Sequence, residues 1–394
     1  MDDLSADLSY IINHLGEDRS QFLNAAAPPI YQSVMFAFQT VAEMRHTIQH
    51  ESELPFYTRG HNPTTDILRQ KMAALEKAED ALIFSSGVAA ISAALLANLK
   101  AGDHVVAVQK PYSWTNRLLT EWMPRFGISV TQVDGQDIAQ YEAAIRPNTR
   151  ILYAESPNSW TFEQQDLRAL AQLAKKHQLL TVVDNSYATP LLQNPIEMGI
   201  DIVCHSATKY IAGHSDAVAG VACGTKAMMQ QIFNAEYMTM GGVASPFNSW
   251  LLLRGLRTLP LRMERVAKTT PEIVRFLEAH PAVAEVYYPY SPNNPQYELA
   301  KSQMKQPAGQ FSIRLKADQM EQVEAFCNHL KRFLLAVSWG SYESLIFPAC
   351  VLYDSENYQG SVLPWDMIRF YIGLEEPESL LDDLRQALDA VWPQ

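Results

Sequence analysis

Three short segments of this chain bring reactive side chains together with backbone able to aim them. Lys209 stands in Ser206-Ala207-Thr208-Lys209-Tyr210, just past a short apolar run. Asp184 ends another such run, Leu179-Leu180-Thr181-Val182-Val183-Asp184, and Asn185 follows it. Ser85-Ser86-Gly87-Val88 joins a third apolar run to a helical pattern. Taken singly, Lys209 reads as a surface lysine, as most lysines are, and Asp184 as a turn carboxylate or helix cap. Their combination points elsewhere. A lysine that condenses with a carbonyl needs a neutral amine held close to it. Pyridoxal 5'-phosphate (PLP) also needs an acid against its ring nitrogen and donors for its phosphate. Lys209, Asp184 and the hydroxyls of Ser206 and Thr208 offer those parts. The glycine turn at Gly87 adds a helix N-terminus, where backbone N–H groups meet phosphate. Tyr57-Thr58-Arg59-Gly60-His61-Asn62-Pro63-Thr64 adds a guanidinium whose fork suits phosphate; it reads equally well as a turn capping the next helix.

Elements must hold these residues in place. Apolar runs at 82–85, 104–108, 129–133, 151–155, 180–184, 202–206 and 218–223 alternate with helix-length segments such as 165–176. That alternation predicts an α/β domain whose large, mostly parallel seven-stranded sheet is joined by right-handed crossovers. Near-continuous apolar strands fit a sheet covered on both faces. Residues 1–50, broken by Pro28-Pro29, read as an extended N-terminal arm able to dock on another subunit. Residues 51–250 form the PLP-binding domain, and 251–394 a smaller C-terminal α+β domain. In the latter we expect strands at 283–288 and 310–315 and helices at 319–330 and 378–392, after a long helix from about 249 that breaks near Pro260.

Bulk composition narrows the partners. The chain has 394 residues, 47% hydrophobic and 19% charged, with a net charge of −12. An acidic chain argues against nucleic acid or an anionic membrane as partner, since both reward a basic face. The uncharged stretch 81–99 approaches the length of a membrane span, but Ser85-Ser86-Gly87 breaks it into a strand, a turn and a buried helix. Cys204, Cys223, Cys327 and Cys350 fit neither a zinc site nor a disulfide framework, so no metal is expected. Scattered thiols and an N-terminus without an apolar signal run suggest the cytoplasm.

The sequence resembles the Cys/Met-metabolism, or trans-sulfuration, family of PLP enzymes. Pro28-Pro29-Ile30-Tyr31-Gln32-Ser33, Tyr57-x-Arg59-x-x-Asn62-Pro63-Thr64, Ser86-Gly87-x-Ala89-Ala90, Asp184-Asn185 and Ser206-Ala207-Thr208-Lys209-Tyr210-x-x-Gly213-His214 match its motifs in order. The resemblance implies the PLP-dependent transferase fold type I and a role for each position. Lys209 becomes the Schiff-base lysine and the base at Cα, and Asp184 the partner of the ring nitrogen. Gly87, Val88, Ser206 and Thr208 hold the phosphate, which Tyr57 and Arg59 reach from a neighbouring subunit. The site then needs a homodimer, expected within a homotetramer. Tyr112 stacks on the cofactor and assists proton transfer. Arg369 binds the α-carboxylate of a small amino-acid substrate, with Ser338 and Trp339 beside it.

Departures from the family pattern bear on the reaction. Trp114 stands where methionine γ-lyases place a reactive cysteine, so methionine γ-elimination is not expected. Ser159 and the run Ser338-Trp339-Gly340-Ser341-Tyr342-Glu343-Ser344-Leu345 are similar to bacterial cystathionine β-lyases, although Trp339 also reads as a packed aromatic anchor. The expected reaction is therefore β-elimination of a sulfur amino acid such as cystathionine. The alternatives are a cystathionine γ-synthase or γ-lyase, a silent PLP-fold protein with a binding or regulatory role, and a transaminase of the same fold.

Overall fold

The seven apolar runs do become one sheet. A computed structural model describes residues 7–353 and 363–393. Its first sheet contains β1 (Asp80–Phe84), β2 (His104–Val108), β3 (Ser129–Val133), β4 (Thr149–Glu155), β5 (Leu180–Asp184), β6 (Ile202–His205) and β7 (Gly220–Gly224), in the order β1-β7-β6-β5-β4-β2-β3. All pairings are parallel except those of β7, which runs antiparallel to both β1 and β6. Strands β2 and β7 are buried along their whole length, which is why they read as unbroken apolar runs.

Helices fill the crossovers and take their ends from sequence signals. Ser86 caps the helix Gly87–Leu96, its Oγ accepting from the Ala89 N–H at 3.1 Å. Asp166 caps Leu167–His177 in the same way, and Lys175, Lys176 and His177 occupy the last turn, where cations oppose the helix dipole. Among the described residues no helix is long and apolar enough to cross a membrane.

The second sheet contains β8 (Val283–Tyr287), β9 (Gln310–Leu315), β10 (Leu334–Leu335), β11 (Leu345–Pro348) and β12 (Met367–Tyr371), in the order β10-β11-β12-β9-β8. The helices Met320–His329 and Pro377–Val391 bury Val323, Phe326, Leu380 and Leu384 in one core with Phe311, Ile313, Ile368 and Phe370 of the sheet. Phe311 and Phe370 are register partners, their rings stacked 5.3 Å apart.

The chain falls into two compact units. One comprises residues up to 156, 165–212 and 216–258; the other comprises 157–164, 213–215 and 259 onward. The short segments that join the second unit interrupt the first in sequence.

Two expectations change. The helix Pro246–Ala279 runs on through Pro260 and Pro271 instead of breaking. Each proline removes one helical hydrogen bond, but buried Leu252, Leu253, Leu256, Leu259, Met263 and Val266 recur at helical spacing across the first and hold the helix. The opening residues are also more than an irregular arm. A helix Leu8–Asn13, capped by Asp7, buries Ile11 and Ile12. Lys71 Nζ donates to the carbonyls of both at 2.9 Å and pairs with buried Glu17 at 3.1 Å. Glu17 also pairs with Arg257 at 3.1 Å. After this anchor the chain exposes Leu23, Val34, Met35, Val41, Met44 and Ile48.

Candidate active site

Asp184 closes β5 in register with Glu155 of β4 and Cys204 of β6. It is buried, and it accepts hydrogen bonds from the Ser186 N–H at 2.9 Å and the Ser186 hydroxyl at 2.5 Å. Burial pushes its carboxyl pKa above the ordinary value, against the lowering effect of those two donors and of the charges at His205 and Lys209. The Ser186 hydroxyl has a second bond, accepting from the Ser206 N–H at 2.6 Å. One oxygen thus ties the acid to the start of the lysine segment.

That segment is a tight turn after β6. The Lys209 N–H donates to the Ser206 carbonyl at 3.1 Å. Thr208 is stitched to Ala219, its N–H donating to the Ala219 carbonyl at 3.2 Å and its Oγ1 accepting from the Ala219 N–H at 3.1 Å. Behind it lies a buried polar layer. His205 Nε2 lies 2.5 Å from Glu76 Oε1, which also accepts from Asn185 Nδ2 at 2.9 Å. Gln193 joins Asn185 and the Ser156 carbonyl. Lys209 and Asp184 therefore sit on adjoining segments whose backbones are fixed from behind.

A candidate phosphate cradle shows in what a methyl group would strike. A Cβ on Gly87 would lie 2.8 Å from Ser206 Cβ, and one on Gly220 would lie 2.1 Å from the Ser86 carbonyl oxygen. Three backbone segments meet there with no room for side chains. The first N–H groups of the helix Gly87–Leu96, those of Gly87 and Val88, have no partner within the helix. With Ser206 and Thr208 they form a donor set that fits a phosphate. A buried carboxylate and a lysine beside that cradle complete a fit to PLP. Gly87→Ala is expected to lower cofactor affinity at least about ten-fold by displacing Ser206, although alanine ordinarily favours a helix by about 1 kcal/mol. A cofactor titration of the apoprotein checks this; native affinity would remove the cradle from this position.

Of the other anticipated residues, Tyr112 lies next to the strand ends, Tyr57 and Arg59 stand on a separate exposed segment, and the rest lie in the second unit. Tyr112 is exposed and begins the helix Ser113–Arg117; its backbone N–H donates to Glu155 Oε2 at 2.7 Å. The Arg59 guanidinium lies over the Tyr57 ring at 5.2 Å, and both side chains are exposed. The segment before them is tied down by Asn62 Nδ2, which donates to the Tyr31 carbonyl at 2.8 Å, and by Thr64 Oγ1, which donates to the Pro29 carbonyl at 2.9 Å. In the second unit Arg369 lies on β12, buried, with Nη2 donating to the Val337 carbonyl at 2.6 Å. Ser338 and Trp339 follow that carbonyl directly and are half-buried. The sequence reading missed Ser186, Glu155 and Trp160. The serine two residues after Asp184 could have been found, since a short hydroxyl there can donate back to the acid.

A mostly parallel sheet with a lysine and a buried acid at its strand ends defines a PLP enzyme of fold type I. Residues 10–389 match the family model for Cys/Met metabolism PLP-dependent enzymes. The chain is 39% identical to an L-methionine γ-lyase of Porphyromonas gingivalis over 371 residues, 93% of each chain. It is 39% identical to a cystathionine γ-lyase of Bacillus subtilis over 383 residues, 96% of this chain and 98% of the relative. A crystal structure of cystathionine γ-lyase from Lactobacillus plantarum, solved with L-serine, superposes with a TM-score of 0.90 at 32% identity, covering 98% and 99% of the two chains. The chain belongs to the Cys/Met metabolism family of PLP-dependent enzymes. It is a PLP-dependent carbon–sulfur lyase of the trans-sulfuration group.

Proposed function

We propose that the chain breaks the bond between sulfur and the γ-carbon of a sulfur amino acid of the cystathionine type. γ-Replacement shares the early steps. One observation carries this reading over β-elimination: the relatives at 39% identity over more than nine-tenths of the chain are γ-lyases. The features that favoured β-elimination, Ser159 and the run at 338–345, are local against that whole-chain likeness. Trp114 argues for cystathionine over methionine.

When bound, PLP supplies an electron sink that acidifies the substrate's α-proton. The chain's residues do the rest. The Lys209 amine takes the proton from Cα and is within the same turn to move protons at the neighbouring carbon. Asp184 holds a negative charge against the ring nitrogen, steadied by Ser186. Gly87, Val88, Ser206 and Thr208 bind the phosphate. Arg369 takes the α-carboxylate, with Ser338 and Trp339 beside the substrate. The Tyr112 phenol protonates the departing thiolate. Tyr57 and Arg59 serve the phosphate of a second copy of the chain. Their exposure and the apolar residues bared between Leu23 and Ile48 support a dimer as the active unit.

Cystathionine separates the readings. Incubation with the holoenzyme is expected to yield 2-oxobutyrate, ammonia and cysteine. Pyruvate with homocysteine would replace this proposal with β-elimination, and neither product would reject cystathionine as substrate.

A further inference from the structure

Arg369 is gripped by two rings. Its cross-strand partner is Phe347 of β11, and side chains opposite one another on neighbouring strands share a face. The guanidinium carbon lies 5.4 Å from the Phe347 ring centre and 5.2 Å from that of Trp160. The two rings are themselves 5.3 Å apart, inclined at 44°. Stacking restrains the guanidinium plane, and the bond to the Val337 carbonyl restrains its rotation within that plane. Arg369 is only 9% exposed, so these contacts act with little competing water.

The loop that delivers Trp160 is held in an unfavourable backbone shape. Trp160 and Phe162 both take left-handed φ values, 68° and 53°, a region that non-glycine residues avoid. The Asn158 side chain closes the loop, with Oδ1 accepting from the Glu163 N–H at 3.0 Å and Nδ2 donating to Glu163 Oε2 at 3.0 Å. Gln296 clamps its far end, accepting from the Gln164 N–H at 2.9 Å and donating to the Gln164 carbonyl at 2.7 Å. Phe162 is buried beneath. Strain that surrounding bonds enforce is a mark of functional geometry, and its product here is the Trp160 ring against Arg369.

We propose that Trp160 is a positioning residue: with Phe347 it clamps the Arg369 guanidinium in one orientation, and so makes the enzyme select amino acids with an α-carboxylate over their amides. This rests on the reading of Arg369 as the carboxylate-binding group. A carboxylate receives both prongs of a well-aimed guanidinium, whereas an amide lacks the charge and the second acceptor. Loosening the clamp therefore weakens carboxylate binding selectively.

The test uses the holoenzyme and two ligands that cannot eliminate, L-alanine and L-alaninamide, titrated by the change in cofactor absorbance. Trp160→Leu is expected to weaken L-alanine about ten-fold and leave L-alaninamide within about two-fold, while Trp160→Phe keeps most of the native affinity. Phe347→Leu moves L-alanine in the same direction and serves if the Trp160→Leu protein does not take up the cofactor. Equal weakening of both ligands, or native L-alanine affinity in the leucine variants, overturns the clamp. Arg369→Leu separates this from the parent reading. If it weakens L-alanine while the leucine variants at 160 and 347 do not, the clamp alone falls; if it binds L-alanine like the native enzyme, the carboxylate role falls and takes the clamp with it.

Discussion

The Lys209→Ala protein is expected to fold, to lack the near-visible absorbance of a lysine-bound cofactor, and to lose at least about 10^4-fold in turnover, because one positioned base alone contributes about 10^2–10^4-fold. In the proposed mechanism Lys209 carries two duties, anchoring the carbonyl and moving the α-proton, and alanine removes both. Folding survives because the turn is held by backbone: the residue 209 N–H reaches the Ser206 carbonyl, and Thr208 is bonded to Ala219 from both its backbone and its hydroxyl. Absorbance and steady-state assays of one preparation check all three outcomes. A yellow, fully active variant would end the assignment of Lys209.

Asp184→Asn is expected to split activity from stability. Turnover falls by on the order of 10^2–10^3-fold, the usual loss when a preorganised charge is removed. The apoprotein, by contrast, becomes more stable near neutral pH. Burial raises the Asp184 carboxyl pKa despite Ser186, His205 and Lys209. A raised acid contributes stability that is fully present below its unfolded pKa and is lost as pH rises through its folded pKa. That contribution is lost progressively as pH rises above the unfolded value, and asparagine, which has no proton to lose and preserves an acceptor for Ser186, escapes the loss. Melting curves of both apoproteins across pH check the sign. The gap should close as pH falls below the raised value, and a less stable asparagine variant at neutral pH would contradict it.

The sheet was legible because covered strands are simply apolar runs. The bounds of β2, β3 and β5 agree with expectation to the residue. Strand β7 was visible as a run, but its place between β1 and β6 depends on long-range pairing that no local pattern carries. Strands β10 to β12 went unnoticed; β10 has two residues and β11 four. The long helix kept its course through two prolines because burial outweighed local cost. At the candidate site, Lys209 and Asp184 stood out in the sequence because the chemistry of the cofactor fixes the residue types it needs, and the structure puts them on adjoining segments. Trp160 was missed. Its place over Arg369 follows from a left-handed loop and from the pairing of β11 with β12, neither of which spacing reveals. The carbon at which sulfur leaves was the least legible feature, since it depends on the shape around the distal substrate more than on any one motif; the whole-chain relatives favour the γ alternative over the β-elimination first expected.

The antiparallel strand β7 also has a consequence for how the protein is made. Its register joins Asp80 to Gly224 and Phe84 to Gly220, and Gly220 packs against Ser86 in the cradle. The two walls of the proposed phosphate site thus come from distant parts of the chain, and contacts of that separation form slowly. A ribosome-bound chain has β1 and the helix after it long before β7 emerges, so the cradle cannot close during most of synthesis. Cofactor capture is a late event, one that seals a nearly finished domain instead of guiding its early collapse.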